Sequence, residues 1–186
     1  VVRASTHRGR PCLYFAHVSA SLDTMRRRAA LAKTLGASGL LVAPGLTGFD
    51  ALRSLRSDDA IALPIASHPS MLGTLVDRGR GGLTAPVVYG LLPRLVGSDV
   101  SIYPAFDSDY PMSQQDCCSV AEHGRQSWGC LRSMMPAVGG RIGLERLVEL
   151  ESVLGRDMII ILGSRIQQFP GGVVTAMTEF HRVLGE

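Results

Sequence analysis

The residues of this chain that could do chemistry are few, and they cluster at glycine turns and single histidines. Near the C-terminus the apolar run Met158 to Leu162 ends at Gly163-Ser164-Arg165, and a polar loop through Pro170-Gly171-Gly172 leads into an amphipathic run. A bounded apolar run, a small-residue turn and a helical period mark a buried parallel strand feeding a helix. Backbone N–H groups converge at such a turn, so its chemistry is the binding of a small anion. Gly139-Gly140 close an earlier apolar run in the same way. Glycine also serves at turns because it accepts positive φ, so a purely structural reading stands beside the anion-binding one at both places. Arg165 either sets a guanidinium where an anion would lie, or is a solvated loop residue. His68, ahead of Pro69, has the side chain of a general base, but a base needs an orienting group and none is close by in sequence.

Other candidates are weaker. Lys33 is the only lysine and reads as a solvated helix-face residue. Arginine, the other source of fixed positive charge, stays protonated and cannot serve as an amine nucleophile or base. Asp58-Asp59 and Asp107-x-Asp109 read as loop carboxylates. Cys12, Cys117, Cys118 and Cys130 lack any C-x-x-C or Cys/His zinc spacing. They read as reduced and mostly buried, in a reducing compartment; Cys117-Cys118 and Met134-Met135 read as packing.

These residues need elements to position them, and 186 residues with 46% apolar and 19% charged side chains suffice for one globular domain. No apolar run approaches the roughly 20 residues that span a bilayer. The net charge of +3 comes from scattered arginines, and aromatics make up only 5% without alternating with them, which disfavours a nucleic-acid groove. The opening VVRASTHRGRP is basic and free of acidic residues. Residues 1–9 are therefore expected to be an N-terminal extension of transit-peptide character, implying a chloroplast, with the folded domain spanning 10–186.

The pattern predicts six strand–helix units. Strands are expected at Cys12–Ser19, Gly39–Pro44, Ile61–His68, Val100–Ala105, Cys130–Val138 and Met158–Leu162. Helices are expected from Ser21 or Asp23 to Leu35, Phe49 to Arg56, Ala85 to Val96, Ser113 to Arg125, Leu144 to Leu154, and beyond Gly172. Strict alternation predicts an α/β fold with a parallel sheet. Candidate residues at strand ends favour an incomplete β/α barrel of the TIM type, since a closed one takes eight units and about 250 residues.

Five segments carry a resemblance. From about Gly9 onward, LYFAHVSASLDTMRRRAALAKTLGASGLLVAPGLTGFDALRSL, LPIASHPSM, LLPRLVGSDVSIYP, PAVGG and IILGSRIQQFPGGVVTAMTEFHRVL resemble, in order and spacing, the C-terminal barrel part of the RuBisCO large-subunit superfamily. The RuBisCO-like proteins fit better than the true carboxylases. The resemblance implies that the six units are the third to eighth of the family's barrel. It implies that His68 corresponds to an active-site histidine, and that Gly139-Gly140 and Gly163-Ser164-Arg165 correspond to two phosphate turns. It also marks departures: the family's Gly-Gly-Gly turn has become Gly-Ser-Arg, His17 stands where RuBisCO-like proteins usually have asparagine, and Val138 replaces a serine. The loop Pro104–Ser113 has no lysine. The family's metal-binding Lys, Asp and Glu, and a catalytic lysine, belong to units that precede Cys12.

Enolising a sugar phosphate takes a cation and a base, and this stretch offers no obvious provider of either. The expectation is therefore a noncatalytic, structural or interaction subunit of a larger plastid complex, with no catalytic residue beyond the remnant His68. Other subunits or a second copy would cover its open edges, and a phosphate or sugar phosphate is the expected small ligand. The alternatives are an enolase, isomerase or decarboxylase, using magnesium if upstream residues complete the metal site, and a phosphate-binding module.

Overall fold

The computed structural model describes residues 6–7, 10–77, 79 and 81–184. The expected extension over 1–9 lies mostly outside them; its described part, Thr6–His7, pairs antiparallel with Arg10–Pro11. The main sheet holds six strands: β1 (Phe15–His17), β2 (Gly39–Val42), β3 (Ile65–Ser67), β4 (Val100–Pro104), β5 (Met135–Gly139) and β6 (Ile159–Ile160). All pair in parallel, and their order in the sheet is their order in sequence. An order that never reverses belongs to a barrel wall; a doubly wound sheet has a switch point.

A helix follows every strand. These are α1 (Leu22–Thr34), α2 (Phe49–Arg56), α3, α4 (Gln114–Arg125), α5 (Leu147–Leu154) and α6 (Gly172–Val183). α3 is a π-helix, Pro86–Leu91, that continues as one α-turn, Leu92–Leu95. The six expected units are present, as an open, partial α/β barrel.

Caps agree with the sequence unevenly. Ser113 accepts from the Asp116 backbone N–H at 3.0 Å and donates to the Asp116 carboxylate at 2.7 Å. Ser113→Ala is expected to cost about 1 kcal/mol, read as a lower urea midpoint at unchanged m. Ser21 holds the N-cap position of α1, but its hydroxyl donates to Thr24 Oγ1 and accepts from no helix amide.

Two strands begin later than expected. Ala62 takes φ 45° and Ile61 bonds back to the Asp58 carbonyl, so 61–63 is a turn and β3 starts at Ile65. Residues 130–134 are held away from the sheet by Arg94. This arginine is 3% exposed, and its guanidinium donates to the carbonyls of His123, Gln126, Leu131 and Arg132 at 2.7–3.1 Å.

Side chains alternate across the sheet. Leu40, Val42 and Ile65 pack against Met25, Ala29, Leu52 and Leu55 in one buried cluster. Tyr103 and Val138, with Ile160 packed against them, join Val88, Tyr89, Val120, Leu147 and Leu150 in a second. The intervening residues face the concave side. Leu41 and Ile102 are half-buried there, while Met135, Ile159 and Ile161 are 40%, 42% and 36% exposed.

The cysteines divide against expectation. Cys117 is buried and Cys118 half-buried, but Cys12 and Cys130 are exposed, because the segments around them lie outside the sheet. Lys33, exposed on α1, donates to the Ala60 carbonyl at 2.7 Å.

Candidate functional site

A cavity of about 1030 Å³ opens above the C-terminal ends of the strands, where barrel ligands bind because loops and free backbone groups converge there. Leu41, Ile102 and Ile161 form an apolar floor; His68, Ser70, Tyr110, Gly139, Gly140 and Arg141 supply polar groups. The structure thus brings His68 together with Gly139 and Gly140. Gly163, Ser164 and Arg165 do not line this cavity. They form a separate corner where Gly163 precedes a helical turn, Ser164–Gln167, and Arg165 is exposed. A Cβ on Gly163 would meet nothing within 4 Å, whereas Gly140 sits at φ 110°. Conformation therefore calls for glycine at Gly140, while packing makes no such demand at Gly163.

His68 is oriented after all, by a residue two positions on. Its Nδ1 accepts from the Ser70 backbone N–H at 3.2 Å and lies 2.8 Å from Ser70 Oγ. The tight turn that returns Ser70 under the ring forces Met71 to φ 65°. Gly45, in the helical turn Pro44–Thr47 after β2, backs this turn: a Cβ there would lie 2.3 Å from the Ser70 carbonyl oxygen.

His17, at the end of β1, stacks on His68 with ring centroids 6.2 Å apart and planes 25° from parallel. Its Nε2 lies 2.9 Å from Ser19 Oγ, which also accepts from the Ala43 N–H at 2.8 Å. Alternate barrel strands contribute side chains to the same layer, which is why residues of β1 and the β3 end meet above β2. Burial, and then the neighbouring His17, hold the His68 pKa below the ordinary imidazole value. Sequence reasoning missed this pair, although His-x-Ser occurs at both 17–19 and 68–70.

The loop after β4 folds over the glycine pair. Ser108 Oγ would lie 3.0 Å from a Cβ on Gly140, and Arg141 donates to the Asp109 carboxylate at 2.9 Å. Arg146 holds the loop from below, donating to the Phe106 and Asp107 carbonyls at 2.7 and 3.0 Å with its guanidinium over the Phe106 ring. Asp109 thus serves as an ion-pair partner. Asp58 and Asp59 line a separate depression with Arg26 and Arg53.

The described residues include no group of three or more His, Cys, Asp or Glu placed to hold a metal ion. The magnesium that the family resemblance implies finds no ligand set among them. Cys117 donates to the Pro104 carbonyl at 3.3 Å, and burial pushes its thiol up to about 12, so it is no nucleophile. No described helix is long and apolar enough to cross a membrane. What the cavity offers is one imidazole, a glycine turn beside a guanidinium, tyrosine hydroxyls and an apolar floor.

Six β/α units around such a cavity define part of a barrel of the kind that holds ligands at its strand ends. The chain is homologous to RuBisCO-like proteins, corresponding to the C-terminal barrel part of a RuBisCO-family chain. A ribulose bisphosphate carboxylase-like protein of Archaeoglobus fulgidus is 31% identical over 182 residues, which are 98% of this chain and 42% of that protein. A 2,3-diketo-5-methylthiopentyl-1-phosphate enolase of Exiguobacterium sibiricum is 26% identical, over 95% of this chain and 44% of the enzyme. The crystal structure of a RuBisCO-like protein from Alicyclobacillus acidocaldarius superposes with a TM-score of 0.86 at 27% identity, over 95% of this chain and 44% of that one. No protein-family profile matches. The chain spans less than half the length of these relatives.

Proposed function

We propose that this chain is a noncatalytic RuBisCO-like barrel subunit, working as a structural or interaction part of a larger complex in a plastid. The observation that carries the reading is the concave face of the sheet. Met135, Ile159 and Ile161 lie exposed along it beside half-buried Leu41 and Ile102, and apolar patches of this kind mark association surfaces. The donor set supports the noncatalytic half: no Asp, Glu or Lys is among the described residues that line the cavity. Size-exclusion chromatography with light scattering is expected to show self-association, and the protein is expected to bind a hydrophobic dye. A monodisperse monomer that leaves the dye dark would overturn the reading.

The cavity favours a second reading, in which the chain still binds a small phosphorylated carbonyl compound. The enolase relatives act, by name, on a diketo phosphate with a methylthio tail, a chemistry that an apolar floor beside a glycine turn could hold. Catalysis would need a cation and a base from outside the described residues. Calorimetric titration with a phosphorylated ketone distinguishes the two readings, because heat saturating at micromolar to millimolar ligand supports the second and silence removes it.

A further inference from the structure

A single hydrogen bond fixes the protonation form of His68. A backbone N–H can only donate, so the Ser70 N–H at 3.2 Å requires a lone pair on His68 Nδ1. The proton of the neutral ring is then on Nε2, the nitrogen for which the described residues supply no partner. Across the stack, Ser19 Oγ already accepts from the Ala43 N–H. It keeps both its proton and a second lone pair for His17 Nε2 at 2.9 Å, so Ser19 holds the His17 ring in place in either tautomer. The His68 ring is thus set as the Nε2–H tautomer by a backbone donor that cannot reverse its role, and the His17 ring is held beside it by Ser19. Burial, and then the stacked His17 ring, oppose a second proton on His68.

We infer that His17 and His68 act as a unit that presents an uncharged Nε2–H of His68 as a hydrogen-bond donor to a carbonyl or enolate oxygen in the cavity. His17 is the positioning residue. This rests on the second reading above, that the cavity holds a phosphorylated carbonyl compound. It reverses the role that His68 suggests in the sequence. A base needs a free lone pair facing its substrate, and in this tautomer Nε2 carries a proton instead. A neutral imidazole donor polarises a carbonyl without bringing a net charge into the cavity. The other titratable or charged groups lining the cavity are Tyr89, Tyr103, Tyr110 and Arg141. None of these described residues is a carboxylate, so none of them favours the imidazolium, and burial pushes the Tyr103 pKa upward so that it stays a neutral phenol.

Long-range ¹H–¹⁵N NMR of the intact chain, labelled at histidine and titrated between pH 5 and 8, tests the inference without any activity assay. The expected result is a pyridine-like Nδ1 and a pyrrole-like Nε2 for His68, titrating below the ordinary imidazole pKa of about 6.5. His17→Asn is expected to move that titration upward with the tautomer kept, and Ser70→Ala, which keeps the backbone N–H, to keep the tautomer as well. A His68 that carries its proton on Nδ1, or titrates above the ordinary value, overturns the inference, and the wild-type spectrum alone decides this if a variant fails to fold. An unchanged titration in His17→Asn overturns the part assigned to His17. Addition of dihydroxyacetone phosphate is expected to shift the Nε2–H signal, and inorganic phosphate is not. A ketone phosphate that shifts the Gly139 and Gly140 amides but not His68 overturns the donor role. A ketone phosphate that shifts nothing overturns the ligand reading on which the donor role rests, while the tautomer result stands apart from it.

Discussion

Arg94→Met is expected to destabilise the protein by about 3–5 kcal/mol, because a buried, fully hydrogen-bonded charge is removed from partners that cannot find water. Four carbonyls, from the end of α4 and from the segment 131–132, converge on this one guanidinium. Methionine keeps part of the volume and none of the donors. Arg94→Lys is expected to recover little, since one ammonium cannot replace a planar fork serving four acceptors. At about 2–4 °C per kcal/mol for a chain of this size, the methionine variant is expected to melt about 6–20 °C lower. A melting temperature within about 2 °C of wild type would show that the segment before β5 is held by other contacts.

Gly45→Ala is expected to damage the site more than the fold. The new methyl would overlap the Ser70 carbonyl and press on the Leu72 amide, 3.0 Å away. Gly45 does not adopt positive φ, so the cost is steric and falls on the neighbouring turn. Overpacking of this kind costs about 1–3 kcal/mol. The turn it displaces is the one that returns Ser70 beneath the His68 ring, so the His68 tautomer preference should be lost with it. The checks are a urea titration for stability and the His68 ¹⁵N spectrum for the site. A variant with wild-type His68 nitrogen shifts would refute the coupling between the β2 and β3 loops.

The fold was legible because each strand–helix unit carries its own local pattern. The apolar run, the stop and the amphipathic period recur six times, and Phe49–Arg56 and Gln114–Arg125 fall where spacing and caps place them. Strand starts were less legible where a distant group claims the backbone. Leu131 and Arg132 look like strand residues, yet their carbonyls serve Arg94, 37 and 38 positions earlier. For the site, the family resemblance pointed to His68, Gly139 and Gly140, which do share a cavity. The pairing of His17 with His68 was hidden because it is a contact between alternate strands, and no local period encodes it. Its trace is the repeated His-x-Ser, which gains meaning only once both copies are known to end strands on the same rim.

The two buried clusters have a mechanical consequence. One gathers around β1 to β3 with α1 and α2, the other around β4 to β6 with α3 to α5. They meet at a narrow joint, where β3 pairs with β4 over Ala66–Val100 and Ser67–Ser101 and Asp99 ties Arg56 to the Ile65 amide. The molecule is built as two lobes sharing a seam, and the cavity straddles it, with Leu41, His68 and Ser70 on one lobe and Ile102, Gly139 and Gly140 on the other. Whatever occupies the cavity is a clasp between the lobes. Its binding and the cohesion of the seam are one equilibrium, so each must strengthen the other by the same free energy.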